Sequence, residues 1–304
     1  MGTEEDFLKK LEEEIGKKIQ VQNTTSVPRL DNLSPTDMHH LLYNTFEEVS
    51  PIGFKKEISI DIIDKIPLIN LLLEFLNKIE QAGELKLTKI GNLPRKICTD
   101  LYEMRIIKEE NIESGIVKLR SEYDSATIQN VKLLGLLSNL IKKRNNKISL
   151  TALGKKMIKR EAKCVLLKSV FLANFQKFNL GYHDGYAQNI GIQNTFGFTI
   201  YLLLRYGNKK RKLEFYKEKS LSAFPFILDK LDGSWGTPEY QYKQIYKLRI
   251  FERFLNYYGF LNYEIQKLPG VYRSPIDLET TELFTSVFEI RNDKFKYIKS
   301  GNLA

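Results

Sequence analysis

The stretch from Ile66 to Arg95, IPLINLLLEFLNKIEQAGELKLTKIGNLPR, places four structural instructions in a row. Pro67 suits the first turn of a helix, where its missing N–H costs nothing. Leu68, Leu71, Leu72, Phe75, Leu76 and Ile79 then repeat at helical spacing. Ala82-Gly83 breaks that helix, and Leu85 and Leu87 alternate as in a short strand. Thr88 is a natural N-cap, since its hydroxyl can accept from an orphan amide of the next turn, and Gly91-Asn92 with Pro94 opens a new element. A helix, a tight break, a strand and a capped helix in so short a span match the layout of a small helical DNA-reading domain.

The stretch is echoed. Lys86-Leu87-Thr88-Lys89-Ile90-Gly91 recurs 63 residues later as Ser149-Leu150-Thr151-Ala152-Leu153-Gly154. Each copy follows a Leu-rich helix and a polar break, Asn145-Asn146 in the second case. A weaker version stands near the C-terminus, where the aromatic helix Ile245–Tyr258 meets Gly259 and Leu278-Glu279-Thr280-Thr281-Glu282-Leu283-Phe284 takes the place of the Leu-Thr block. Repeated units bury little alone and share a core when stacked.

A chain of 304 residues with 42% apolar and 28% charged residues has enough apolar material for two or three small folded units. No apolar run approaches the ~20 residues that span a bilayer. The charged helical start MGTEEDFLKKLEEEIGKK, with Phe7, Leu8, Leu11 and Ile15 on one side, lacks the apolar segment of a signal peptide, so a cytoplasmic location is expected. A polar linker with two prolines follows, and then Ser34-Pro35 begins the next helix.

Chemistry-bearing motifs are scarce. Cys98 and Cys164 are far apart and read as buried free thiols rather than zinc ligands. His39 and His40 point about 100° apart on a helix and make a poor chelate. His183-Asp184 reads as a turn using the aspartate, because no other catalytic partner or nucleophile motif accompanies it. The aromatic stripe Ile245, Leu248, Phe251, Leu255 and Tyr258 reads as core. No catalytic residue, cofactor, metal or small-molecule substrate is therefore expected.

The charge distribution is more telling. The net charge of +10 favours polyanions. From Ile141 to Arg160 eight basic residues stand without an acidic one: Lys142, Lys143, Arg144, Lys147, Lys155, Lys156, Lys159 and Arg160. The last four share one helical flank after Thr151, whose helix start also offers amides to a phosphate. Lys86, Lys89, Arg95 and Lys96 take the equivalent places around the first copy. The bland reading is a solvated face. A second basic cluster, Lys209 to Lys212, lies in a loop.

The Leu87-Thr88-x-x-Gly91-Asn92-Leu93-Pro94-Arg95-Lys96 block resembles a group of largely uncharacterised bacterial proteins that carry L-T-x-x-G-N-L-P-R-K in a winged-helix-like module. The resemblance covers roughly residues 66–206, with an extension to Phe288 as the open alternative, and a cysteine-rich zinc motif carried by some relatives is missing here. It implies a mainly α fold with short β-hairpins, built as tandem winged-helix-like units. The expected organisation is an N-terminal helix and linker over 1–33, two such units over 34–162, and a C-terminal helical domain over 163–304 in which a third unit is the open alternative. The expected function is binding of double-stranded DNA through its backbone, in transcriptional regulation or mobile-element biology. The alternative is a protein-interaction scaffold.

Overall fold

A computed structural model of the chain describes residues 4–182, 184–186, 191–266 and 275–291. Helices dominate, and the strands among these residues form three small antiparallel sheets. Helix α1 (Glu4–Thr24) is followed by α2 (Pro35–Tyr43). At the start of α2 the Ser34 hydroxyl accepts from the Asp37 amide at 3.1 Å, and the Asp37 carboxylate accepts from the Ser34 amide at 3.1 Å. This reciprocal capping box satisfies two donors that would otherwise be orphaned. Strand β1 (Ile52–Phe54) and the single turn α3 (Ile60–Ile63) lead on to a first unit.

That unit begins with α4 (Pro67–Ala82), which is buried on nearly every side. Its free N-terminal amide at Leu68 donates to the Tyr257 carbonyl at 3.0 Å, so it is anchored to a distant part of the chain. Gly83, at φ +70°, ends it. There follow β2 (Leu85–Lys86), α5 (Arg95–Glu103), the short α6 (Glu110–Glu113), α7 (Ala126–Leu137), β3 (Ile141–Arg144), β4 (Lys147–Leu150) and α8 (Ala152–Met157). Asn145 and Asn146 join β3 to β4 with φ of 49° and 56°, the paired positive angles of a two-residue hairpin turn that asparagine tolerates well. The sheet order is β2-β4-β3.

Helix α9 (Lys163–Gln176) then passes through the middle of the molecule and buries Leu166, Leu167, Val170, Phe171 and Phe175. A second unit follows: α10 (Phe196–Tyr206), β5 (Arg211–Lys212), α11 (Leu213–Ala223), α12 (Pro238–Tyr246) continued by a π-helical stretch Lys247–Leu255, β6 (Leu261–Ile265), β7 (Ile276–Thr280) and α13 (Glu282–Val287). Its sheet order, β5-β7-β6, matches the first unit: first strand, third strand, second strand. Strand β8 (Phe288–Ile290) closes on β1, with Phe54 opposite Phe288. No described helix is long and apolar enough to cross a membrane.

The repeat differs from its expected form. The blocks around Thr88 and Thr151 do not head two separate units within 34–162. They flank adjacent strands of one sheet, Leu85 opposite Ile148 and Lys86 opposite Lys147. A two-residue strand cannot satisfy its backbone alone, and the returning β4 supplies the partner. The true counterpart of the Thr151 block is the weaker echo at Thr281. Asn139 and Gly259 both have positive φ, 56° and 68°, at a helix C-terminus. The next amides, Leu140 and Phe260, reach back to Gly135 and Leu255 at 2.9 and 3.1 Å, which is the Schellman pattern. Thr151 and Thr281 then donate their amides to Leu140 and Phe260 at 3.0 Å each, and their hydroxyls to Asn139 and Gly259 at 2.6 and 2.8 Å.

This return locks α8 against the strand. A Cβ on Gly154 would fall inside the radius of the Leu140 carbonyl oxygen, which already accepts from Thr151 and cannot move aside. Gly154→Ala is therefore expected to destabilise the fold by ~2 kcal/mol even though alanine is the better helix former, a loss readable in urea unfolding.

Candidate nucleic-acid interface

The first sheet carries the densest positive charge. Residues directly opposite on neighbouring strands share a face, and Lys86, Lys147 and Arg144 form one such row across all three strands. Lys142 lies two residues along β3 on the same face, opposite Ser149. Lys86, Lys142 and Arg144 are exposed, and Lys147 is half-buried with an ion pair to Glu84. Lys143 belongs to the other face, and its ammonium lies close over Gly91.

Gly91 belongs to a built turn beyond the hairpin tip. The Thr88 hydroxyl accepts from Asn92 N–H at 3.0 Å, and the Thr88 amide donates to Asn92 O at 2.8 Å. Asn146 in the hairpin turn binds the same loop through its side-chain amide, to Leu87 O at 3.1 Å and Thr88 O at 3.0 Å. Below it, buried Glu122 accepts from Leu93 N–H at 2.6 Å and pairs with Lys132 at 2.5 Å. Lys132 also donates to Gly91 O at 3.3 Å. The Leu-Thr-x-x-Gly-Asn-Leu-Pro block is thus a structural clamp that presents Lys89 and Ile90, the latter 75% exposed, beside the hairpin tip.

Arg95 and Lys96 are exposed on the first turn of α5, which has no acidic residue to offset them. Cations at a helix N-terminus oppose the macrodipole, so their position is not explained by helix stability. Lys155, Lys156, Lys159 and Arg160 are exposed on and after α8. They lie past the far end of β4, roughly 10 Å of strand from the hairpin tip. The amides of α8 do not form an open phosphate site, because the Thr151 hydroxyl already accepts from Gly154 N–H at 2.9 Å. Arg160 stands 4.0 Å from Asp64, which also holds Lys163.

The structure therefore brings nine of the sequence's twelve candidates together in two groups on one unit, with Lys143 on the other sheet face and Arg95 and Lys96 at the start of α5. Lys86, Lys89, Lys142, Arg144 and Lys147 surround the hairpin, while Lys155, Lys156, Lys159 and Arg160 follow it. Helix α7 contributes no exposed residue, being packed against α4, α5 and α9.

The second unit is the internal control. Its equivalent row is Lys212, Asp277 and Glu264, with Glu279 further along the same face. Lys210 pairs with Glu264 at 2.5 Å, a hydrogen bond that raises the lysine's pKa. Arg211 stacks over Tyr206 and Phe215, 5.4 and 4.9 Å from the ring centroids. The same topology thus carries mixed charge across the strands of one unit and a row of three cations, offset at Lys147 by Glu84, across those of the other.

The remaining candidates have structural roles. Asp184 makes the expected turn, accepting from Tyr186 N–H at 2.9 Å, and also binds Arg249 at 2.6 Å in a buried pair that nothing in the sequence signalled. His183 lies outside the described residues. His39 is exposed and packs against the Tyr43 ring. Cys98 is fully buried, and burial pushes its thiol up to about 12; Cys164 is only half-buried. A cleft of about 410 Å³ is lined by Glu109, Tyr123, Gln129, Tyr182 and Arg253 among others. Glu109 there is committed to capping α7, accepting from the Ala126 and Thr127 amides at 3.0 and 3.2 Å. Among the described residues no group of three or more His, Cys, Asp or Glu is placed to hold a metal ion. Comparison with protein families, curated proteins and solved structures finds no match.

Proposed function

We propose that this protein is a non-enzymatic, cytoplasmic binder of duplex DNA, built from two winged-helix-like units, that grips phosphates with the outer sheet face of the first. The observation that carries this reading is the row Lys86-Lys147-Arg144 with Lys142 beside it. Like charges directly opposite on neighbouring strands cost stability. The second unit has the same strand order without such a row, so the fold itself does not require it. Polyanion binding gives the repulsion a purpose, since each neutralised phosphate releases counterions. Contacts of this kind position a protein on DNA and carry no base information.

The burial of α7 favours a second reading. In this order of elements α7 is the helix that would enter a major groove, and it has no exposed residue to do so. A protein-interaction scaffold has no need of a free helix. The DNA reading accordingly assigns the contacts to the hairpin and to Lys155, Lys156, Lys159 and Arg160 rather than to an inserted helix.

A labelled random-sequence duplex titrated across a salt series separates the two. Lys142→Glu/Arg144→Glu is expected to flatten the slope of log K against log salt by ~2, at ~0.9 for each phosphate no longer neutralised. Lys155→Glu/Lys156→Glu/Lys159→Glu reads the contribution of α8 in the same way. The folded protein failing to bind at low salt would sink the DNA reading and leave the scaffold. Arg144→Glu alone should raise stability by ~0.5 kcal/mol in urea unfolding, because it turns a repulsive cross-strand row into an attractive one.

A further inference from the structure

Every described side chain of α1 from Glu5 to Thr24 is exposed, although Phe7, Leu8, Leu11, Ile15 and Ile19 form an apolar stripe along it. Phe7 is 67% and Ile19 52% exposed, and none of the five packs on the core. The helix adjoins α2. A lone helix of this length is marginal in water, and most helical stability comes from packing an apolar face. The i,i+4 spacing of Glu5 with Lys9, Glu13 with Lys17 and Glu14 with Lys18 supports the helix locally. Those pairs engage part of the helix's charge and leave the stripe uncovered.

We infer that the occupant of this face is α1 of a second copy, running antiparallel and centred on Leu11. The argument is the charge order. Counting outward from Leu11 in both directions, Lys10 meets Glu12, Lys9 meets Glu13 and Glu5 meets Lys17. Phe7 meets Ile15, and Leu11 meets itself. Each charge of these pairs is inverted by the reflection, and the central apolar positions Phe7, Leu11 and Ile15 are preserved, while Leu8 falls opposite Glu14 and Ile19 opposite Thr3. The central span thus has the self-complementarity of a twofold interface. A parallel pair in register would set each charged block beside its own sign, at an energetic cost. The inference is independent of DNA, because α1 carries none of the residues assigned to the basic sheet face.

The test uses the full chain without nucleic acid, in sedimentation equilibrium up to ~100 µM. A concentration-dependent dimer is expected. Leu11→Gln/Ile15→Gln should weaken it at least about tenfold with the main unfolding transition unmoved, since neither side chain touches the core. Direction is read by mixing. Lys9→Glu/Lys10→Glu and Glu12→Lys/Glu13→Lys should each lose self-association, and the two variants together should regain it. A wild-type chain that stays monomeric, a glutamine variant that dimerises as well as wild type, or a mixture no better than its components would overturn the proposal.

Discussion

Asp31→Ala is expected to cost ~3–5 kcal/mol of stability, because it strands a buried guanidinium. The Asp31 side chain is 4% exposed and that of Arg205 5%, and they meet at 2.6 Å. Arg205 also donates to the Asp31 carbonyl at 2.6 Å, Lys219 reaches the other carboxylate oxygen at 2.6 Å, and the Tyr206 hydroxyl donates to that oxygen at 3.0 Å. Burial, and then the Asp31 charge, push the Tyr206 phenol up to about 12. One carboxylate thereby ties the segment before α2 to α10 and α11. Part of the loss is local, since Asp31 sits at φ 59°, where aspartate is better tolerated than alanine. Asp31→Asn keeps the shape and that tolerance, so the difference between the two variants in urea unfolding isolates the charge. Lys219→Met, at the rim, should cost under about 1 kcal/mol.

Phe171→Ala is expected to cost ~3–5 kcal/mol, the range for removing a buried aromatic ring that its surroundings cannot refill. Phe171 is fully buried, and its ring lies 5.1–6.3 Å from those of Phe46, Phe54, Phe196, Phe254, Tyr258, Phe260 and Phe288. These partners come from the segment after α2, from the β1–β8 pair and from the second unit. Because the buried residues form one connected core running through α9, the loss should appear as a lower midpoint of a single transition. Two separate transitions would show that the units unfold independently. Phe171→Leu fills most of the space and should recover much of the loss.

Much of the local structure was legible. The apolar period of α4 after Pro67, the caps at Ser34 and Thr151, the polar break at Asn145-Asn146 and the core role of Phe251, Leu255 and Tyr258 all follow from residue types at short spacing. The basic residues were legible as well, as a run without acidic neighbours. Their grouping was not, because the run does not say that Lys86 stands across from Lys147 while Lys143 faces away. A strand's side chains change face with every residue, so register decides which cations act together.

By itself the sequence determined most elements: their periods and breaks, the caps at Ser34 and Thr151, and the presence of repeated Leu-Thr blocks. Thr88 does not cap a helix but closes the Gly91 turn, and α5 begins only at Arg95 after Pro94. Only the tertiary structure decided which blocks belong together, pairing the strand before Thr88 with the one before Thr151 and matching Thr151 to Thr281 instead. It also decided that α7 is buried, that Glu122 neutralises Lys132 beneath the Gly91 turn, and that Asp31 and Arg205 meet across most of the chain. The physical reason is the range of the interactions. Helix periods, caps and turns are settled within a few residues, whereas strand pairing and buried ion pairs depend on which distant surfaces the shared core brings together.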